Sequence, residues 1–137
     1  MTSGLPESLA AISEDFLALQ DGDRVQLLLE FAAELPELPE RYAEHPELFE
    51  RVEECQSPVF IFVEVDEHDI VHVFATAPEQ APTTRGFASI LVKGLSGLTS
   101  AHALDVTDDF PQMLGLAKII SPLRLRGLSG MLWRIKR

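Results

Sequence analysis

The chain has 137 residues, 46% of them hydrophobic, enough to close one core without disulfides or a structural metal. Its formal net charge of −11 argues against nucleic acid and anionic membrane as partners, because both repel an acidic surface. The lone cysteine, Cys55, excludes an internal disulfide and suits a reducing compartment.

The N-terminal stretch MTSGLPESLAAISEDF has no basic segment ahead of an apolar run, and no run in the chain approaches the roughly 20 apolar residues that cross a bilayer. The expectation is a cytoplasmic protein with residues 1–137 forming a single domain. Charge is unevenly placed: residues 1–70 carry −15 (18 acids, 3 arginines) and residues 71–137 carry +4 (4 acids, 8 Lys and Arg). Such asymmetry reads either as solvated helix faces or as a surface that steers a partner.

From Pro6 to Gln20, Leu9, Ile12, Phe16 and Leu19 recur at helical spacing, with Pro6 suited to a first turn and Glu7 to the positive helix end. Asp21-Gly22-Asp23 breaks that pattern and predicts a cap for a second helix, Arg24 to Glu34, with Val25, Leu28, Leu29 and Ala32 on its apolar side. The two helices are expected to form a hairpin. LPELPE, residues 35–40, ends the second helix, because proline cannot donate to the helical ladder. An irregular acidic stretch through Glu50 is expected next.

Val59 to Val65 and residues 68–77 read as two antiparallel strands, joined through the polar Asp66, Glu67, His68 and Asp69. Pro58 fits a strand entry and leaves Cys55 in the loop leading into the sheet, near the surface. Thr83 can cap a helix from Thr84 to Leu95, in which Phe87, Ile90, Leu91 and Leu95 form a buried face and after which Gly97 supplies a stop. Short helices follow at Ser100 to Leu104, capped by Thr99 or Ser100, and at Phe110 to Ile119, capped by Thr107. Ser121-Pro122 opens the last helix, with Leu125, Leu128, Met131, Leu132 and Ile135 on one stripe amid a basic C-terminus that includes Arg124, Arg126, Arg134 and Lys136. The fold class is α+β: a small antiparallel sheet packed with an N-terminal helical hairpin and C-terminal helices.

Cys55 has two readings from the residues alone, a packed apolar filler or a reactive thiol. Its polar neighbours Glu53, Glu54, Gln56 and Ser57 favour the second, yet the two glutamates push a thiol pKa up by like-charge repulsion. Either a cation offsets them, with Arg51, Arg124 and Arg126 as the candidates, or activation waits for a partner. His68 and His72 with Asp66 and Asp69 can be read as a metal cluster, but four residues along a strand separate the imidazoles by roughly 13 Å. No GxGxxG or GxxxxGK[ST] motif is present.

Val52-Glu53-Glu54-Cys55-Gln56-Ser57-Pro58-Val59-Phe60 resembles the signature V-x-G-C-Q-S-x-V-W of the SufE family of sulfur acceptors. Three further segments agree in order: Leu35-Pro36-Glu37-Leu38-Pro39 with the family's LPxLP turn, Arg85-Gly86 with its R/K-G dipeptide, and Ser121-Pro122-Leu123-Arg124-Leu125-Arg126-Gly127-Leu128 with Met131 with its closing SPxRxxGLxxM. Two positions depart from the pattern, Glu54 for the family glycine and Phe60 for the tryptophan. The resemblance implies a SufE/IscU-like fold and a sulfurtransferase-type carrier without a cofactor of its own. In that role Cys55 takes persulfide sulfur from a pyridoxal-phosphate cysteine desulfurase (SufS-like), stimulates it, and passes sulfur to an iron-sulfur scaffold (SufBCD-like). Gln56, Ser57 and Arg124 are then the partner-binding or thiolate-stabilising residues, and a homodimer is one option for the assembly. Two other readings stay open: a regulatory module that binds a desulfurase without accepting sulfur, and a thiol redox sensor.

Overall fold

The computed structural model describes residues 7–36, 38, 42, 49–52, 58–104, 106, 110, 114 and 122–136. Helix α1 spans Glu7–Leu17 and α2 spans Asp21–Ala33; a three-stranded antiparallel sheet of β1 (Glu50–Arg51), β2 (Phe60–Val65) and β3 (Val71–Thr76) follows. Helices α3 (Pro82–Leu95), α4 (Ser100–Leu104) and α5 (Pro122–Lys136) complete the described elements. The architecture is the expected α+β class, with one strand, β1, that strand propensity did not indicate. The expected helix from Phe110 to Ile119 lies largely outside the described residues.

The core sits around α3, which α1, α2, β3 and α5 all contact. Nine of its residues, including Phe87, Ile90, Leu91 and Leu95, are buried, so it is apolar on nearly every side rather than along one stripe. Two glycines set how closely its neighbours approach. A Cβ at Gly86 would lie 2.5 Å from the Leu28 carbonyl oxygen of α2, and one at Gly94 would run into Leu9 Cδ2 of α1. Beside the second contact, Ser8 Oγ donates to the Gly94 carbonyl at 2.6 Å. Next to Gly86, Arg85 donates through Nε to the Ala32 carbonyl at 3.0 Å and through Nη1 to the Ala77 carbonyl at 2.7 Å. One guanidinium thus joins the end of α2 to the chain leaving β3, adding a side-chain donor to an Ala32 carbonyl that also accepts the Leu35 N–H at 3.5 Å.

The N-terminal helices differ from expectation in how they are joined. They pack chiefly on α3 rather than on each other, with a Phe16–Phe31 ring contact at 6.0 Å between them. Helix α2 begins at Asp21, three residues early, and its N-cap Gln20 makes no side-chain cap bond. The connection is closed from the other side: Arg24 Nε donates to the Phe16 and Leu19 carbonyls at 2.8 and 2.9 Å, at the C-terminal end of α1. Leu29 is exposed, because Leu28, Ala32 and Leu35 carry the buried contact. Helix α3 likewise starts early, at Pro82 with Ala81 as its N-cap, so Thr83 falls inside the helix; proline at the first position needs no N–H partner. Thr99 does cap α4, accepting the His102 N–H at 3.3 Å, and Gly97 stops α3 with φ of +94°.

Replacing Gly86 with alanine should lower stability by about 1–2 kcal/mol, because overpacking outweighs the roughly 1 kcal/mol of helix propensity regained. Gly94→Ala should cost less, since Leu9 can rotate whereas the Leu28 carbonyl cannot. Urea midpoints of the two variants check both the loss and its order.

Candidate functional site

The chain's only cysteine lies between β1 and β2. Glu50 pairs with Ile61 and Arg51 with Phe60, and the next pair is closed by the Val52 N–H donating to the Val59 carbonyl at 2.9 Å. Val52 and Val59 are both 0% exposed. Residues 53–57, which include Cys55, Gln56 and Ser57, lie outside the described residues. The described frame on either side of them is a buried valine pair at the end of an antiparallel ladder. The cysteine therefore belongs to a strand-to-strand connection, not to a loop that merely precedes the sheet.

That frame is held from both faces. On the inner face Ile61, Val71, Val73 and Ala75 are buried and β3 lies against α3. On the outer face Phe62 and Phe74 stack at 6.2 Å, Tyr42 packs on them at 5.2 and 4.9 Å, and Phe49 meets Phe62 at 5.5 Å. Phe49 directly precedes β1, so its ring anchors a strand too short to hold by two residues of pairing. Phe60, where the family signature has tryptophan, is half-buried and shares the parity of Phe62 along β2. Sequence reading missed the cluster because alternation in β2 and β3 marks a second apolar face but says nothing of what covers it.

Arg51 is exposed on β1, four residues before Cys55. Arg124 falls in the first turn of α5, and its side chain lies outside the described residues. Arg126 is exposed two residues further along the same helix. The region 53–57 is thus preceded by one exposed cation, the charge type that offsets Glu53 and Glu54 electrostatically.

The histidine and aspartate residues of the β2–β3 turn have a different task from metal binding. Asp66 Oδ1 accepts the His68 and Ile70 N–H groups at 2.8 and 3.0 Å, while Oδ2 pairs with His72 Nε2 at 2.9 Å. Asp69 adopts φ of 62° and accepts the Ser100 hydroxyl at 2.6 Å, tying the turn to the start of α4. Among the described residues, no group of three His, Cys, Asp or Glu side chains is arranged to hold a metal ion. The hydrogen bond from His72, then that from Ile70, lowers the Asp66 pKa from 3.8 to about 2, with the His68 N–H adding to the effect and partial desolvation opposing it.

Comparison with known proteins places this frame in a recognised class. A solution structure of a hypothetical protein from Thermus thermophilus superposes with a TM-score of 0.83 at 38% identity, covering 96% of this chain and 93% of its own. An uncharacterized SufE-like protein of Mycobacterium tuberculosis is 52% identical over 135 residues, 98% of this chain and 93% of that protein. The SufE-like protein 1, chloroplastic/mitochondrial, of Arabidopsis thaliana is 33% identical over 129 residues, 93% of this chain and 33% of that longer protein. The SufE model, described as an Fe-S metabolism associated domain, matches residues 10–137. The chain belongs to the SufE family, and its association is with iron-sulfur metabolism. Among the described residues no helix is long and apolar enough to cross a membrane.

Because the folded pKa of Asp66 is depressed below its unfolded value, its carboxylate stabilises the fold above about pH 4, and that contribution is lost as pH falls through about 2. Carboxyl carbon NMR titration should place Asp66 near 2, and His72→Ala should move the midpoint upward toward 3.8.

Proposed function

We propose that this chain is a sulfur carrier: Cys55 accepts persulfide sulfur from a pyridoxal-phosphate cysteine desulfurase, stimulates that enzyme, and delivers the sulfur to an iron-sulfur cluster scaffold. The observation that carries the reading is the placement of the only cysteine in a connection whose two ends are the buried, hydrogen-bonded Val52 and Val59. Such a frame is suited to presenting a short segment to a second protein, and family membership supports the same role.

The chemistry is a relative of thiol-disulfide exchange. The Cys55 thiolate attacks the outer sulfur of the donor persulfide. A new S–S bond forms on Cys55, the donor's S–S bond breaks, and the donor cysteine leaves as thiolate. The proton released from Cys55 neutralises that thiolate, and no net electrons are exchanged. The acceptor needs an anionic nucleophile and access, but no metal or cofactor of its own. Glu53 and Glu54 oppose thiolate formation, whereas Arg51 at the end of β1 favours it. In this reading Gln56 and Ser57 donate hydrogen bonds to the sulfur anion or to partner backbone, and Arg124 supplies a docking or thiolate-stabilising charge. A cytoplasmic setting keeps the thiol reduced between transfers.

Incubation with a cysteine desulfurase and cysteine should add the mass of one sulfur atom to the intact chain, and Cys55→Ser should abolish the addition. A wild-type chain that gains no Cys55-dependent sulfur refutes the carrier role. A Cys55→Ser variant that still stimulates the desulfurase fully identifies a regulatory binding module instead. Glu54→Gly should raise the acceptance rate about twofold to fivefold by removing a carboxylate beside the thiol and restoring loop freedom. Arg124→Ala should slow partner-dependent transfer with an unchanged melting temperature; single-turnover transfer and thermal unfolding measure the two effects separately.

A further inference from the structure

Helix α5 buries one side and leaves the other in water. Gly127, Gly130, Met131, Leu132 and Ile135 are buried, whereas Arg126 and Trp133 are exposed, the tryptophan at 53%. Seven residues apart, these two share one stripe of the helix, separated by two turns or about 10 Å along its axis. Lys136, close to one turn further on, is tethered there by Nζ, which donates to the Val106 carbonyl at 2.7 Å. Leu104, two residues before that carbonyl, is 54% exposed. The end of α5 thus holds a large aromatic side chain in water between cations, with an exposed leucine two residues from the carbonyl that Lys136 binds.

The cations elsewhere in the fold are largely engaged: Arg24 and Arg85 donate to main-chain carbonyls, and Lys93 pairs with Glu34. Arg126 has no ion-pair partner among the described residues. The sequence around it supplies none, because α5 contains no acid three or four residues away. The charge is also local and of one sign. Residues 110–137 hold six Lys and Arg and no Asp or Glu, giving +6, whereas residues 1–109 hold 5 Lys and Arg against 22 acids, giving −17.

We propose that this stripe docks an acidic segment of another protein, with a carboxylate on Arg126 and an apolar side chain against the Trp133 ring. Tryptophan and arginine are the side chains that most often anchor protein interfaces, and a guanidinium fork matches a carboxylate with two parallel hydrogen bonds. An indole presents a broad apolar face at little cost in conformational entropy. Charge complementarity selects the occupant: the +6 carried by residues 110–137 attracts acids and repels a basic segment. An anionic membrane is the poorer match. The apolar residues of α5 are already buried in the core, which leaves one indole to insert, and the −17 of residues 1–109 would be held against a surface of like charge. The proposal concerns binding and does not depend on Cys55 accepting sulfur.

Trp133 is the only tryptophan in the chain, so its fluorescence reports this surface alone. In the free full chain, iodide should quench it about twofold more strongly than caesium, against the sign of the whole-chain charge. The probe is the peptide acetyl-EDLEDLED-amide, and acetyl-KRLKRLKR-amide is the charge-reversed arm. The acidic peptide should shift the emission to the blue and reduce quenching by neutral acrylamide, while the basic one should do neither. Arg126→Glu should weaken the acidic peptide about tenfold at an unchanged melting temperature, and added salt should weaken it too. Equal quenching by iodide and caesium overturns the proposal. So does unchanged emission at millimolar acidic peptide, an equal response to the basic peptide, or binding that Arg126→Glu leaves intact. A blue shift on phosphatidylglycerol vesicles but not on the peptide overturns it in favour of a membrane, and one that grows with protein concentration alone overturns it in favour of a second copy.

Discussion

The absence of a side chain at Gly86 is the constraint on which the packing depends. It lets the α2 backbone come within contact of α3, a distance that even one methyl group would violate. The adjacent Arg85 uses that closeness, reaching the last turn of α2 and the exit of β3 with one planar donor set. The two residues work as a unit: one permits the approach, and the other hydrogen-bonds carbonyls at the end of α2 and beyond β3. Gly94 repeats the device against α1, with Leu9 as the intruding neighbour.

With α3 held this way, the sheet has a defined place to rest. Val71, Val73 and Ala75 face the helix, and the register of β2 against β3 follows, since a slip by one residue would turn that apolar row to the opposite face. The opposite face is closed by rings from Tyr42 and Phe49, and Phe49 carries β1 into the ladder. The frame around residues 53–57 is the last product of this sequence of contacts. Two buried valines and an aromatic cluster bound it on the described side.

Motifs that sequence reading could only match by pattern acquire physical content here. Arg85-Gly86 is a packing and hydrogen-bonding device, and Leu35 of the LPxLP turn is buried where α2 ends. Asp66 and His72, read from spacing as weak metal ligands, instead pin a hairpin turn, with one carboxylate serving two N–H groups and an imidazole. Spacing in sequence could not separate these roles, because both require the same residue types close together. Arg24 is a similar case: in the sequence it only marks a helix start, yet in the fold it closes the connection from α1.

The order of elements, the buried rows of α3 and β3, and the isolation of the cysteine in a polar segment were all legible in the sequence, because periodicity and turn chemistry are local properties of the chain. Three things were decided only in three dimensions: the two-residue strand β1, the capping of helices by distant or unexpected groups, and the pairing of Val52 with Val59 that brackets Cys55. Glu50 and Arg51 have no intrinsic preference for a strand. They form one because β2 offers a free edge beside them and Phe49 is already docked on its face, and no window of sequence contains both of those facts.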